Sequence, residues 1–327
     1  MSHPDLRKEI RHVRKTVDGK IFAGKLALLV LIYSIGVALV VIGNWLVMPL
    51  GIILCGLMYV HAVELQHEAL HGIGFRSWRA NVFSGVLLGI PMLTSFAAYH
   101  ASHMRHHRDL GTPENREFFD YGDQYGTASG SRAVRFMRWI YRFSIVAHYI
   151  QFFIVLGKLA TGRQLPGEKP ATTRLIRRDY AIITSTILVG SVMSIFTGSM
   201  LIVWVWLVPL LVIAGPVHAF VELPEHYGCK TDTTDVFQNT RSIRSTKLMY
   251  WFTNGNNYHV EHHFMPSLPI AQLGELHRAI KGRHSYYQRT YWDFFKQLFK
   301  GQGWTPKADS TNLPASNTDL FSSVKDN

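Results

Sequence analysis

The sequence predicts an all-α integral membrane protein. It should have two transmembrane helical hairpins, four spans in all, and a cytoplasmic helical cap carrying a histidine-rich di-metal site. Three observations predict this. Residues 26–63 and 181–221 contain no Asp, Glu, Lys or Arg. At the helical rise these runs would extend about 57 and 61 Å, roughly twice the hydrocarbon core of a bilayer. Each must therefore turn back on itself, because no soluble core holds an uncharged helix of that length. All 34 Lys and Arg lie outside the two runs, which by the positive-inside rule places both termini and the middle segment on the cytoplasmic side. Finally, 17 of the 327 residues are histidine, and the pattern H-x-x-H-H occurs twice.

Taken in order, residues 1–25 read as a basic amphipathic arm on the membrane surface, with Ile10, Val13 and Val17 on one side. The first hairpin turns at Asn44-Trp45 and Met48-Pro49. Its second helix leaves the apolar region at Glu64 and continues through His67 and His71 to Gly72 and Gly74. Residues 82–99 are just long enough to span. A crossing there would put His67 and His71 on the opposite side from His103, so this run is expected to be interfacial or re-entrant, broken at Pro91. Residues 143–157 suit a surface helix. The second hairpin turns at Thr197-Gly198-Ser199. Residues 1–302 form one domain, and the Ser-, Asn- and Asp-rich residues 303–327 are expected to be a disordered cytoplasmic tail. Cys55 and Cys229 should not meet, in keeping with a reducing cytoplasmic face. The formal net charge of +12 suits an anionic leaflet or an acidic partner protein. It does not suggest nucleic acid, since the basic residues track the spans.

The chemistry lies in three histidine clusters: His67 and His71; His103, His106 and His107; and His259, His262 and His263. Positions i, i+3 and i+4 share one helix face, so each triplet points its imidazoles the same way. Two such triplets arise by accident in roughly 0.1% of chains this rich in histidine, by template matching. Eight imidazoles exceed the need of one metal ion and suggest two. Imidazole alone does not choose among Fe, Zn, Cu and Ni. A site where membrane hairpins emerge suits a substrate with an apolar tail, whose chemistry is C–H oxidation by a redox metal and dioxygen. That favours iron.

His67-Glu68-Ala69-Leu70-His71-Gly72, His103-Met104-Arg105-His106-His107 and Asn257-Tyr258-His259-Val260-Glu261-His262-His263 resemble the three histidine boxes of the membrane fatty-acid desaturase and hydroxylase superfamily. Order, spacing and hairpin layout also match, over roughly residues 25–270. The resemblance implies two iron ions, dioxygen as co-substrate, and electrons from a separate ferredoxin- or cytochrome-type protein. The expected activity is desaturation of an acyl chain of a lipid or related aliphatic substrate. A hydroxylase or monooxygenase of an alkane, carotenoid or other small substrate on the same scaffold is the alternative. The third box opens with His259 where front-end desaturases carry Gln, and no His-Pro-Gly-Gly haem motif occurs; both argue against a front-end enzyme with a fused cytochrome. Related enzymes commonly carry one more histidine between the second hairpin and the third box. Here that is His226, four residues after Glu222.

Around these ligands, Glu64, Glu222, Glu261 and Asn257, with Asn256 as a similar candidate, are expected to orient imidazoles. Arg241, Arg244 and Lys247, just before the third box, are expected to dock the electron donor or lipid phosphates. His61, His100, His148 and His218 read as interfacial or core residues. A membrane metal transporter or scaffold would need ionisable groups at mid-depth in the spans, and none occurs there. A zinc hydrolase is a further alternative, separable by metal analysis.

Overall fold

A computed structural model of the protein describes residues 10, 13, 15–115 and 129–301. Residues 1–9, 11, 12 and 14 of the arm, part of the polar stretch 120–132 and all of 303–327 lie outside the described residues. Among the described residues the chain is mostly helical, and four helices are long and apolar enough to cross a membrane.

Helix α1 spans Gly19–Ile42, capped by Asp18, whose side chain accepts from Lys20 N. It stops at Gly43 in the left-handed conformation, φ 69°. Helix α2, Met48–Leu70, follows a turn in which Asn44 Oδ1 accepts from Leu46 N. The two helices touch backbone to backbone at Gly36 and Gly51: a Cβ on Gly51 would lie 2.6 Å from Gly36 O. Small residues at apolar helix interfaces permit this approach. Both elements outrun the uncharged stretch that marks them. Helix α2 carries Glu64 and His67 beyond it, because the helical pattern continues where hydropathy stops.

The apolar run 82–99 is split, as Pro91 implies. Helix α3, Trp78–Gly89, ends before the proline, and α4, Phe96–Asp109, starts after it on an N-cap from Ser95. Asp179, fully buried, accepts from Ser95 Oγ and Ala97 N. A carboxylate at this helix N-terminus is favoured by the peptide dipoles, and it fixes α4. Helices α5, Arg132–Phe143, and α6, Val146–Ala160, meet at a bend of 56°. On α5, Phe136, Met137 and Ile140 are exposed between arginines, the pattern of an interfacial helix.

Helix α7, Pro170–Phe196, is followed by the Val203–Glu222 helix. Its first part is π-helical over Val203–Leu207 and Pro209–Ala214, and α8 covers Gly215–Glu222. Tyr59 of α2 ties this stretch to the first hairpin, its hydroxyl donating to Val205 O at 2.5 Å.

The C-terminal third forms a cap of short elements: α9 Val236–Asn239, β1 Arg241–Ile243, α10 Lys247–Phe252, α11 His259–Phe264, α12 Leu273–Ala279, β2 Tyr286–Gln288 and α13 Tyr291–Phe299. The strands pair in parallel with Arg241 opposite Tyr286, a small exception to the all-α expectation. Ile10 and Val13 are buried here against Tyr258, Leu273 and Ile280. At these two positions the arm's apolar side therefore packs on protein, not on lipid as the sequence suggested. Cys55 and Cys229 are buried and unpaired.

Candidate metal centre

Nine histidines gather in two groups. His67, His71, His103, His107 and His262 form one; His106, His226, His259 and His263 form the other. Helical geometry explains the division. Residues i and i+4 lie nearly in line, whereas i+3 falls to the other side of that line. Thus α4 sends His103 and His107 to the first group and His106 to the second. Helix α11 does the converse, sending His259 and His263 to the second group and His262 to the first. Helix α2 completes the first group with His67 and the residue after its last turn, His71. His226, just beyond α8, completes the second.

The nitrogens face one another closely. His103 Nε2 lies 2.8 Å from His67 Nε2 and 3.0 Å from His107 Nε2. His226 Nε2 lies 3.1 Å from His106 Nε2 and 3.2 Å from His259 Nε2. Three of the four outer nitrogens of the second group have fixed acceptors. His226 Nδ1 donates to the Asn239 carbonyl at 3.0 Å, His259 Nδ1 to Asn256 Oδ1 at 3.0 Å and His106 Nδ1 to Asn115 Oδ1 at 3.1 Å. A backbone carbonyl only accepts, so His226 carries its proton on Nδ1 and bares its Nε2 lone pair. Asn256 is oriented by its Nδ2, which donates to Glu225 Oε1 at 2.9 Å. Converging bare lone pairs repel each other unless a cation lies among them, and acceptors on the outer nitrogens are the usual support of metal-bound imidazoles. The donor set therefore fits two metal ions. Burial, with the neighbouring imidazoles, holds His71, His259, His262 and His263 well below the ordinary imidazole range, which keeps them neutral and ready to ligate.

Several expected supporting residues sit elsewhere. Asn257 does not reach an imidazole: its Nδ2 donates to Ile243 O at 2.6 Å, and Asn256 takes the orienting role. Glu261 lies two residues from His259, about 200° round the helix, and so faces away from both groups. It accepts from Ser242 Oγ at 2.6 Å, His277 Nδ1 at 2.5 Å and His284 Nε2 at 2.6 Å. Burial works to raise its carboxyl, but His284 and His277 outweigh that and hold it below the usual carboxylate range. Glu64 and Glu222 meet His218 in a separate buried cluster. Arg241 is 1% exposed. Its Nη1 donates to Pro224 O and to Tyr227 O at 2.8 Å, and its guanidinium lies over Phe294. So buried, its guanidinium packs the cap and does not suit the docking role expected from the sequence. Arg244 is half-buried and Lys247 exposed. His61 bonds the Phe252 carbonyl, His148 the Met92 carbonyl, and His100 packs on Trp78; none belongs to the five-histidine or the four-histidine group. Asn115 and Asn239 went unmarked in the sequence, since Asn115 lies in a loop and Asn239 ends a helix of four residues, too short for a periodic signal.

The fatty acid desaturase family model matches residues 43–295, which includes every histidine of both groups. The chain belongs to the fatty acid desaturase family. It is 26% identical over 252 residues to the dihydrorhizobitoxine desaturase of Bradyrhizobium elkanii, covering 73% of this chain and 68% of that protein. It is 29% identical over 111 residues to the chloroplastic omega-3 fatty acid desaturase of Brassica napus, covering 34% of this chain and only 28% of that relative. Family membership makes this chain an oxidoreductase.

Proposed function

We propose that the protein is a dioxygen-dependent di-iron oxidoreductase that desaturates an acyl chain or a related aliphatic substrate at the membrane. The observation that carries this is the pair of imidazole groups, five and four strong, whose second member bares its lone pairs inward. Two irons held there would supply activation of dioxygen and removal of hydrogen from a C–H bond, using two electrons from a separate ferredoxin- or cytochrome-type donor. The chain's own part is positional. Asn115, Asn239 and Asn256 hold ring planes, burial keeps the imidazoles neutral, and the long helices deliver the apolar substrate while excluding water. The four long helices are read as two transmembrane hairpins, with both termini and the metal centre cytoplasmic. Arg244 and Lys247 remain the basic residues offered for donor docking.

The relatives' names point to two substrates, a fatty acid in one and dihydrorhizobitoxine in the other. The substrate class here therefore stays at an aliphatic chain. The test is mass spectrometry of lipids and small metabolites from cells with and without the protein, beside a His106→Ala variant. A product short of two hydrogens, lost in the variant, supports desaturation. A product gaining one oxygen would move the assignment to hydroxylation, and no iron-dependent difference would remove the reading.

A further inference from the structure

The four-histidine group has one donor fewer than its neighbour, and an acidic side chain stands at its rim. Glu225 precedes His226 and is 8% exposed. Its backbone is held by β1, where Arg241 N donates to Glu225 O at 2.8 Å. Its Oε1 accepts from Asn256 Nδ2, and its Oε2 lies 3.2 Å from His259 Nε2. That nitrogen bears no proton in a neutral ring, because His259 Nδ1 already donates to Asn256 Oδ1. A carboxylate oxygen and a bare imidazole nitrogen at this distance repel each other in a buried setting. A cation beside both turns the repulsion into ligation. Asn256 thus grips His259 with its oxygen and Glu225 with its nitrogen, setting both donors from one amide.

We propose that Glu225 is the fifth donor of the four-histidine half. Resting on the di-iron reading above, this makes the two halves unequal: five neutral imidazoles on one side, four imidazoles and an anionic oxygen on the other. A hard anionic oxygen favours the more highly charged ion, so the Glu225 half should be the easier to oxidise.

The experiment uses the full-length protein purified without metal and loaded anaerobically with Fe(II). Metal is counted by mass spectrometry, and affinity is measured by chelator competition. Wild type should bind two ions. Glu225→Gln, which preserves shape and the bond to Asn256, should keep one at wild-type affinity and loosen the other by at least about 100-fold, the upper range for a lost supporting partner. Two ions at unchanged affinity in Glu225→Gln would overturn the proposal and leave Glu225 as a support for Asn256. Should Glu225→Gln not fold, Glu225→Cys loaded with Co(II) decides. A thiolate-to-cobalt charge-transfer band means that position 225 touches metal, and its absence in a cobalt-loaded protein overturns the proposal. Failure of the parent reading would show earlier, in the wild-type arm, as fewer than two ions bound, and would take the proposal with it.

Discussion

At the scale of residues, adjacent asparagines have opposite jobs. Asn256→Ala removes the acceptor of His259 Nδ1. It should lower metal affinity about 10–100-fold, beside the stability cost of two lost buried hydrogen bonds. Asn257→Ala strips a donor from the buried Ile243 carbonyl and should cost about 1–3 kcal/mol of stability with metal affinity unchanged. Parallel metal titrations and thermal melts of both variants check this, and identical behaviour would refute the division. The basic residues divide in the same way. Arg241→Ala leaves the carbonyls of Pro224 and Tyr227 without their donor and opens a void over Phe294; a loss of about 3 kcal/mol or more is expected. Lys247→Glu, on an exposed side chain, should leave the melt alone and raise the KM for the electron donor, with a weaker salt dependence. An unchanged KM would remove Lys247 from the docking surface.

At the scale of elements, helical spacing in the sequence conveys which histidines share a face, and the structure divides each triplet by the same geometry. Applied to Glu261, that spacing would have turned it away from the metals. The asparagine supports were less legible because Asn115 and Asn256 sit between elements and Asn239 ends a helix of four residues, where no period constrains direction. The strand pair was illegible for a related reason: three residues at 241–243 and three at 286–288 are too short to show alternation. Packing neutral histidines on α11 also has a consequence for pH. His259, His262 and His263, like His71, have folded-state affinities for protons below those of the unfolded chain, whose imidazoles titrate near 6.5. Above that pH both states are neutral and nothing is lost. Below it the unfolded chain binds protons that the folded one refuses, at about 1.4 kcal/mol per pH unit per group. The metal-free protein should therefore melt at progressively lower temperature as pH falls below about 6.5. Bound metal should push that decline to lower pH, and a flat profile between pH 7 and 5 would contradict it.

At the scale of the whole molecule, the uncharged runs announced four long helices, and Pro91 announced the break between α3 and α4. Charge said where the spans are but not how far their helices extend, since α2 and α7 continue into polar sequence on backbone bonding alone. On the proposed two-hairpin topology the α7 turn and the cap lie on opposite sides of the bilayer. A cysteine placed at Ser199 should react with an impermeant label on intact cells, and one at the exposed Lys230 only after lysis. The reverse pattern would invert the orientation.

The closest ties between the ends of the molecule join residues synthesised far apart. Lys25 Nζ donates at 2.7 Å to Asn254 Oδ1 and at 2.8 Å to Glu68 Oε2, while Thr16 is bonded to Gln272. Lys25 and Thr16 thus wait for partners 229 and 256 residues further along the chain. Before α11 is made, a nascent chain stopped short of residue 259 offers histidines from α2 and α4 with only His226 opposite them. Contacts this distant in sequence form late. Metal should therefore be a passenger taken on after translation, and chains truncated within the cap should insert normally yet leave the membrane fraction without bound iron.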